Sequence, residues 1–66
     1  MPVRYRQVRR LVRDDGWILV KQVGSHEQYK HPTKPGRVTI AGNDACDVPI
    51  DTLKSILAQA QIEVDF

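Results

Sequence analysis

Two amphipathic stripes at opposite ends of the chain constrain what it can fold into. Near the N-terminus Tyr5, Val8, Leu11 and Val12 recur at i, i+3, i+4 spacing, with Arg6, Arg9, Arg10 and Arg13 on the other side. Near the C-terminus Ile50, Leu53, Ile56, Leu57 and Ala60 make a second stripe. The spacing predicts helices over about 4–15 and 49–61. Pro2 just ahead of the first turn, Gly16 as a stop and Pro49 near the second start agree with those limits. Asp14 and Asp15 stand at the wrong end of the first helix for its dipole, a small local cost. Each apolar stripe has to be buried on another layer, and the chain between the helices must supply it.

That middle section reads as three short strands. Residues 17–23 are rich in β-branched and aromatic side chains and end at Gly24-Ser25. Residues 26–31 form a second strand, and the tight connection makes the pair an antiparallel hairpin. Alternation places Glu27, Tyr29 and His31 on one side and His26, Gln28 and Lys30 on the other. A turn with two prolines and a glycine, Pro32 to Gly36, leads to a third strand over 37–41, where Val38 and Ile40 alternate with Arg37 and Thr39. A polar loop follows, to Asp47.

Helix, three strands, helix with short connections gives an α+β fold, a two-layer α-β-β-β-α arrangement on a three-stranded antiparallel sheet. Both helices cover one face and the other stays open to solvent. This is the shape of a double-stranded-RNA-binding domain. Trp17 and Tyr29 are expected in the core, Trp17 beneath the first helix, and His31 in a packing role.

At 66 residues the chain has room for one domain, whose buried fraction is low. Its one cysteine, Cys46, cannot close an internal disulfide, and no Cys/His cluster has zinc-ligand spacing. A bound partner or oligomerisation is then the expected source of extra stability. No apolar run approaches a membrane span and no signal-peptide core is present, so a cytoplasmic location is expected. The net charge of +2 is modest but unevenly spread. Five arginines crowd residues 4–13, with Lys21, Lys30, Lys34 and Arg37 after them, while acids gather mainly from Asp44 onward. A polyanion is expected to dock on the basic first part.

Several fragments, in order, resemble the HicA (YcfA-like) family of bacterial toxins: Gly16-Trp17, Gly24-Ser25-His26, His31 through Arg37, Val48-Pro49-Ile50 and Thr52 through Leu57. The resemblance spans roughly Val8 to Gln61. It implies a ribosome-independent mRNA endonuclease with the α-β-β-β-α fold, held in check by a HicB-like antitoxin that masks the catalytic histidine. That histidine follows Gly-Ser in the family and is His26 here. The chain departs from the family at Glu27, where many members carry a second histidine. It departs again in the loop Gly42 to Asp47, often basic but here acidic, and at Gln61, where glycine is common.

The residues suit such chemistry. RNA is cleaved without metal when its 2′-OH attacks the adjacent phosphorus, which needs a base, an acid and positive charge. Histidine serves as base or acid because its unperturbed pKa of about 6.5 lies near working pH, and lysine and arginine supply charge. The candidates are His26 for catalysis, and Ser25, Lys30, Lys34, Arg37 and the Arg6/Arg9/Arg10/Arg13 stripe for RNA contact. No cofactor motif is present, so metal independence is expected. Two other readings use the same residues. One is a non-catalytic RNA-binding module or attenuated toxin; the other is an interaction protein whose basic half meets an acidic partner.

Overall fold

The computed structural model describes residues 2–64. Its elements are α1 (Tyr5–Asp14), β1 (Ile18–Val23), β2 (His26–Lys30), β3 (Val38–Ala41) and α2 (Ile50–Ala60). The strands form one antiparallel sheet in the order β1-β2-β3, as the short connections require.

Most elements end one residue inside the expected limits, because the flanking residues cap them rather than join them. Arg4 and Asp15 cap α1, and Pro49 and Gln61 cap α2. At the start of α1, the Gln7 side chain reaches back to accept a hydrogen bond from the Arg4 N–H at 2.8 Å, half of a capping box. Gln61 is left-handed, at φ 54°, the conformation that ends many helices and that glycine adopts without strain.

Both helices lie on one face. Tyr5, Val8 and Val12 of α1 and Leu53, Ile56 and Ala60 of α2 are buried with Tyr29, Val38 and Ile40 of the sheet. Trp17 is buried as expected, but it precedes β1 and its indole N–H donates to the Ala60 carbonyl at 3.3 Å. It therefore ties the start of the sheet to the end of α2 as well as lying in the core.

The segment between β3 and α2 is bound to the start of α1. Tyr5 N–H donates to the Cys46 carbonyl at 3.0 Å, and Val48 N–H to the Val3 carbonyl at 2.7 Å. Gly42 is required there, because a Cβ at that position would lie 2.5 Å from the Tyr5 ring.

β1 differs most from a core strand. It is exposed along its whole length, and Ile18 and Val23 are each 60% exposed. Its pairing with β2 slips between Leu19 and Lys21, a bulge at Val20. Ile18, Lys21 and Val23 pair with Lys30, Gln28 and His26; Lys21 lies on the open face by alternation from Val23, and the bulge brings Ile18 onto that face as well.

Candidate functional site

The open face of the sheet is built by alternation and carries most of the chemistry. His26 begins β2 directly after the Gly24-Ser25 turn, where Gly24 has φ +60°, the positive value a two-residue hairpin turn asks of its first central residue. His26 pairs with Val23 on one side and Ala41 on the other, while Gln28 pairs with Lys21 and Thr39. The imidazole is exposed, and among the described residues no group forms a hydrogen bond to its ring. Ser25 is exposed in the turn beside it.

Three cations share this face. Lys30 is exposed two residues along the strand from Gln28. Arg37 donates from Nη1 to Gln28 Oε1 at 2.7 Å, which lays the guanidinium across the face. Lys21 was not among the expected contacts, although the hairpin register, with Val23 opposite His26 and Lys21 two residues back, puts it on the same face.

Beside His26 the sheet ends at β3, and α2 rises past its edge. The outward backbone of β3 is met by α2: Thr39 N–H donates to Gln59 Oε1 at 3.0 Å. Between the two lies an open groove of about 420 Å³, lined by His26, Thr39, Ala41, Asp51, Ser55 and Gln59 among others. Asp51 and Ser55 were likewise missed. They follow the apolar stripe of α2 as ordinary polar positions, and only the offset of the helix beyond β3 turns them toward His26.

The arginine stripe of α1 does not join this site. α1 covers the opposite face of the sheet, so exposed Arg6, Arg10 and Arg13 point away from His26. Arg9 lies at the border of the buried stripe and is committed within the fold. Its Nε donates to Glu27 at 2.7 Å, Nη1 to Asp44 at 2.6 Å and Nη2 to the Gly42 carbonyl at 2.6 Å. Its side chain is 11% exposed and that of Glu27 14%. Burial opposes charge on Arg9, but the bonds to Glu27 and Asp44 outweigh it and hold the guanidinium more firmly charged. Tyr29 donates to the same Glu27 oxygen at 3.2 Å, and burial together with the Glu27 charge pushes its phenol up.

Lys34, expected to contact RNA, is committed as well. Its ammonium donates to Asp15 at 2.7 Å, to the Ala60 carbonyl at 3.2 Å and to the Gln61 carbonyl at 2.9 Å. It closes the C-terminal ends of both helices, a role for which a cation suits the helix dipoles. The Lys34 bond holds the Asp15 carboxyl below its usual range.

His31 is equally fixed, just past the end of β2. Its Nδ1 accepts from the backbone N–H groups of Thr33 and Lys34 at 3.0 and 3.1 Å, which leaves Nε2 to donate to the Asp15 carbonyl at 2.8 Å. The ring packs edge-on against Trp17, with centroids 5.3 Å apart. His26 is thus the imidazole that faces solvent with both nitrogens available. Among the described residues no three His, Cys, Asp or Glu side chains converge as a metal site would need, and no helix is long and apolar enough to cross a membrane.

An exposed histidine beside cations on an open sheet, in the order α-β-β-β-α, is the arrangement against which relatives can be weighed. Residues 5–62 of the chain match the family described as HicA toxin of bacterial toxin-antitoxin. The chain belongs to the HicA toxin family. It is therefore the toxin of a toxin–antitoxin system, and its partner is the antitoxin of that pair. A search for curated relatives found no match. Within the HicA match fall β2 with His26, the sheet-face cations and all of α2, so the family covers the whole site described above.

Proposed function

We propose that this HicA toxin is a ribosome-independent, metal-independent endoribonuclease acting on mRNA, with His26 as its general acid and base. The observation that carries the proposal is the placement of a free imidazole at the edge of an open sheet face, with Lys21, Lys30 and Arg37 on that same face. A strand of RNA laid over the sheet meets positive charge along its phosphates and a proton carrier at one end.

The step conserves atoms in a simple way. The 2′ oxygen loses its proton to the imidazole and bonds to phosphorus, and the P–O5′ bond breaks. The departing 5′ oxygen then takes a proton, leaving a 2′,3′-cyclic phosphate and a 5′-hydroxyl. With His31 held by three backbone groups, His26 carries both transfers in turn.

A HicB-like antitoxin would silence this toxin by covering His26. The apolar side chains beside it support that reading, since Val23 pairs directly with His26 and stands 60% exposed. In cells, His26→Ala is expected to abolish growth arrest while the variant still co-purifies with its antitoxin. Growth arrest by that variant would overturn the assignment.

A further inference from the structure

The groove beside His26 has two unlike walls. The sheet wall leads to the cations Lys21, Lys30 and Arg37, whereas the α2 wall presents Asp51, Thr52, Ser55 and Gln59. Among the described residues, the ionisable group in the groove besides His26 is the Asp51 carboxylate, which repels phosphate. Phosphates are therefore drawn to the sheet side, and the part of an RNA strand suited to the other wall is an uncharged base.

We infer that this groove is a nucleobase pocket that holds a guanine flanking the scissile phosphate, with Asp51 reading it; the inference rests on the endoribonuclease reading above. A carboxylate accepts from two neighbouring N–H groups at once. Guanine is the RNA base whose pairing edge offers two adjacent donors, N1–H and the N2 amine. Adenine and cytosine each set one amine beside a bare ring nitrogen, and uracil sets one N–H between two carbonyls.

The remaining groups fit the rest of that edge. Gln59 spends Oε1 on the Thr39 N–H, which leaves its amide nitrogen to donate, and the Ser55 hydroxyl stands one helical turn from Asp51. Both can serve the guanine O6 acceptor. Ile56, also in the lining, gives the ring an apolar contact. The volume of about 420 Å³ falls within the range of small-molecule clefts, roughly 300–1,000 Å³. Single-stranded RNA is read in this manner, through the pairing edges of splayed bases.

The experiment maps cut sites in an unstructured RNA containing all four bases, using the wild type, Asp51→Asn and Ser55→Ala, with thermal melting to confirm folding. Wild-type cuts are expected to cluster beside guanosines. Inosine, which lacks the N2 amine, is expected to slow cleavage about tenfold, as loss of a bidentate contact would. Asp51→Asn is expected to lower the ratio of guanosine to adenosine cutting by a similar factor. Cutting without base preference, an unchanged preference in Asp51→Asn, or an equal loss at every site would each overturn the pocket.

A second measurement stands apart from cleavage. The His26→Ala chain, labelled with ¹⁵N, is titrated with short single-stranded RNAs carrying one guanosine or one inosine. Guanosine is expected to shift the Asp51, Thr52 and Ser55 amides more than inosine does. Silence along α2 overturns the pocket even where the wild type cuts RNA. Guanosine-selective shifts in a toxin that cuts nothing would instead remove the nuclease reading and keep the pocket.

Discussion

Arg9 and Glu27 meet at 2.7 Å between α1 and the covered face of the sheet, and Asp44 closes on the same guanidinium from the other side. One cation thus holds two acidic residues, Glu27 of β2 and Asp44 of the loop before α2. Both Glu27 and Asp44 are bonded to Arg9, although the Asp44 side chain stays 66% exposed. Glu27 faces away from His26, and Asp44 pins the loop to α1.

Removing that cation should unfold much of the arrangement. Arg9→Met leaves Glu27 nearly buried without a counter-charge and releases the loop, at a cost of roughly 2–4 kcal/mol given the part-buried setting. For a chain of 66 residues this is a large share of a total of roughly 3–10 kcal/mol. Urea denaturation measures it. Adding Glu27→Gln should restore part of the loss, and a purely additive double variant would contradict the coupling.

The Lys34–Asp15 pair sets an acid limb. The Asp15 carboxyl is held below its unfolded range, so the folded state binds its proton less readily than the unfolded chain does. The stability from this group is therefore present above the unfolded pKa, about 3.9, and is lost as pH falls through the folded value. Lys34→Met should lower stability at neutral pH and flatten the fall below about pH 4. RNA affinity should hardly change, because Lys34 is occupied by Asp15 and the ends of both helices. A large loss of RNA binding without loss of stability would contradict this assignment.

Gln61→Gly replaces a left-handed glutamine at the end of α2. Relief of that conformation is worth about 1 kcal/mol, offset in part by the lost bond from the Gln61 amide to the Pro35 carbonyl. A small net stabilisation, seen as a rise in melting temperature, is expected. A clear fall would show that the side-chain bond outweighs the backbone strain.

Charge on the two sides of the molecule should behave differently. Lys21→Ala and Lys30→Ala, on the His26 face, should each reduce the salt dependence of single-stranded RNA binding by about 0.7 in the log–log slope. Arg10→Glu, on the outward side of α1, should leave cleavage within about twofold, since exposed charges beyond a Debye length of about 8 Å are screened. The opposite ranking would place the RNA on α1.

The fold was legible in the sequence because each element carries its own period. Tyr5, Val8 and Val12 mark one helical stripe, and Leu53, Ile56 and Ala60 another. The alternation around Tyr29 gave the faces of β2, and with them the outward position of His26. The site was only partly legible. Arg9 and Lys34 look like their neighbouring cations until Glu27, Asp44 and Asp15, remote in sequence from them, are brought alongside. Lys21 shares the His26 face through the pairing of Val23 with His26 across the turn, and Asp51 meets His26 because α2 overhangs β3. Each miss concerns contacts between elements, and periodicity reports only what happens within one.

The most direct test of the central claim compares the wild type with His26→Ala, each incubated with a single-stranded mRNA segment in EDTA. Cleavage to 2′,3′-cyclic phosphate ends by the wild type is expected, with the variant, folded and still binding RNA, slower by at least about 100-fold. Equal cleavage by both would remove His26 from the chemistry, and wild-type cleavage that vanishes in EDTA would contradict metal independence.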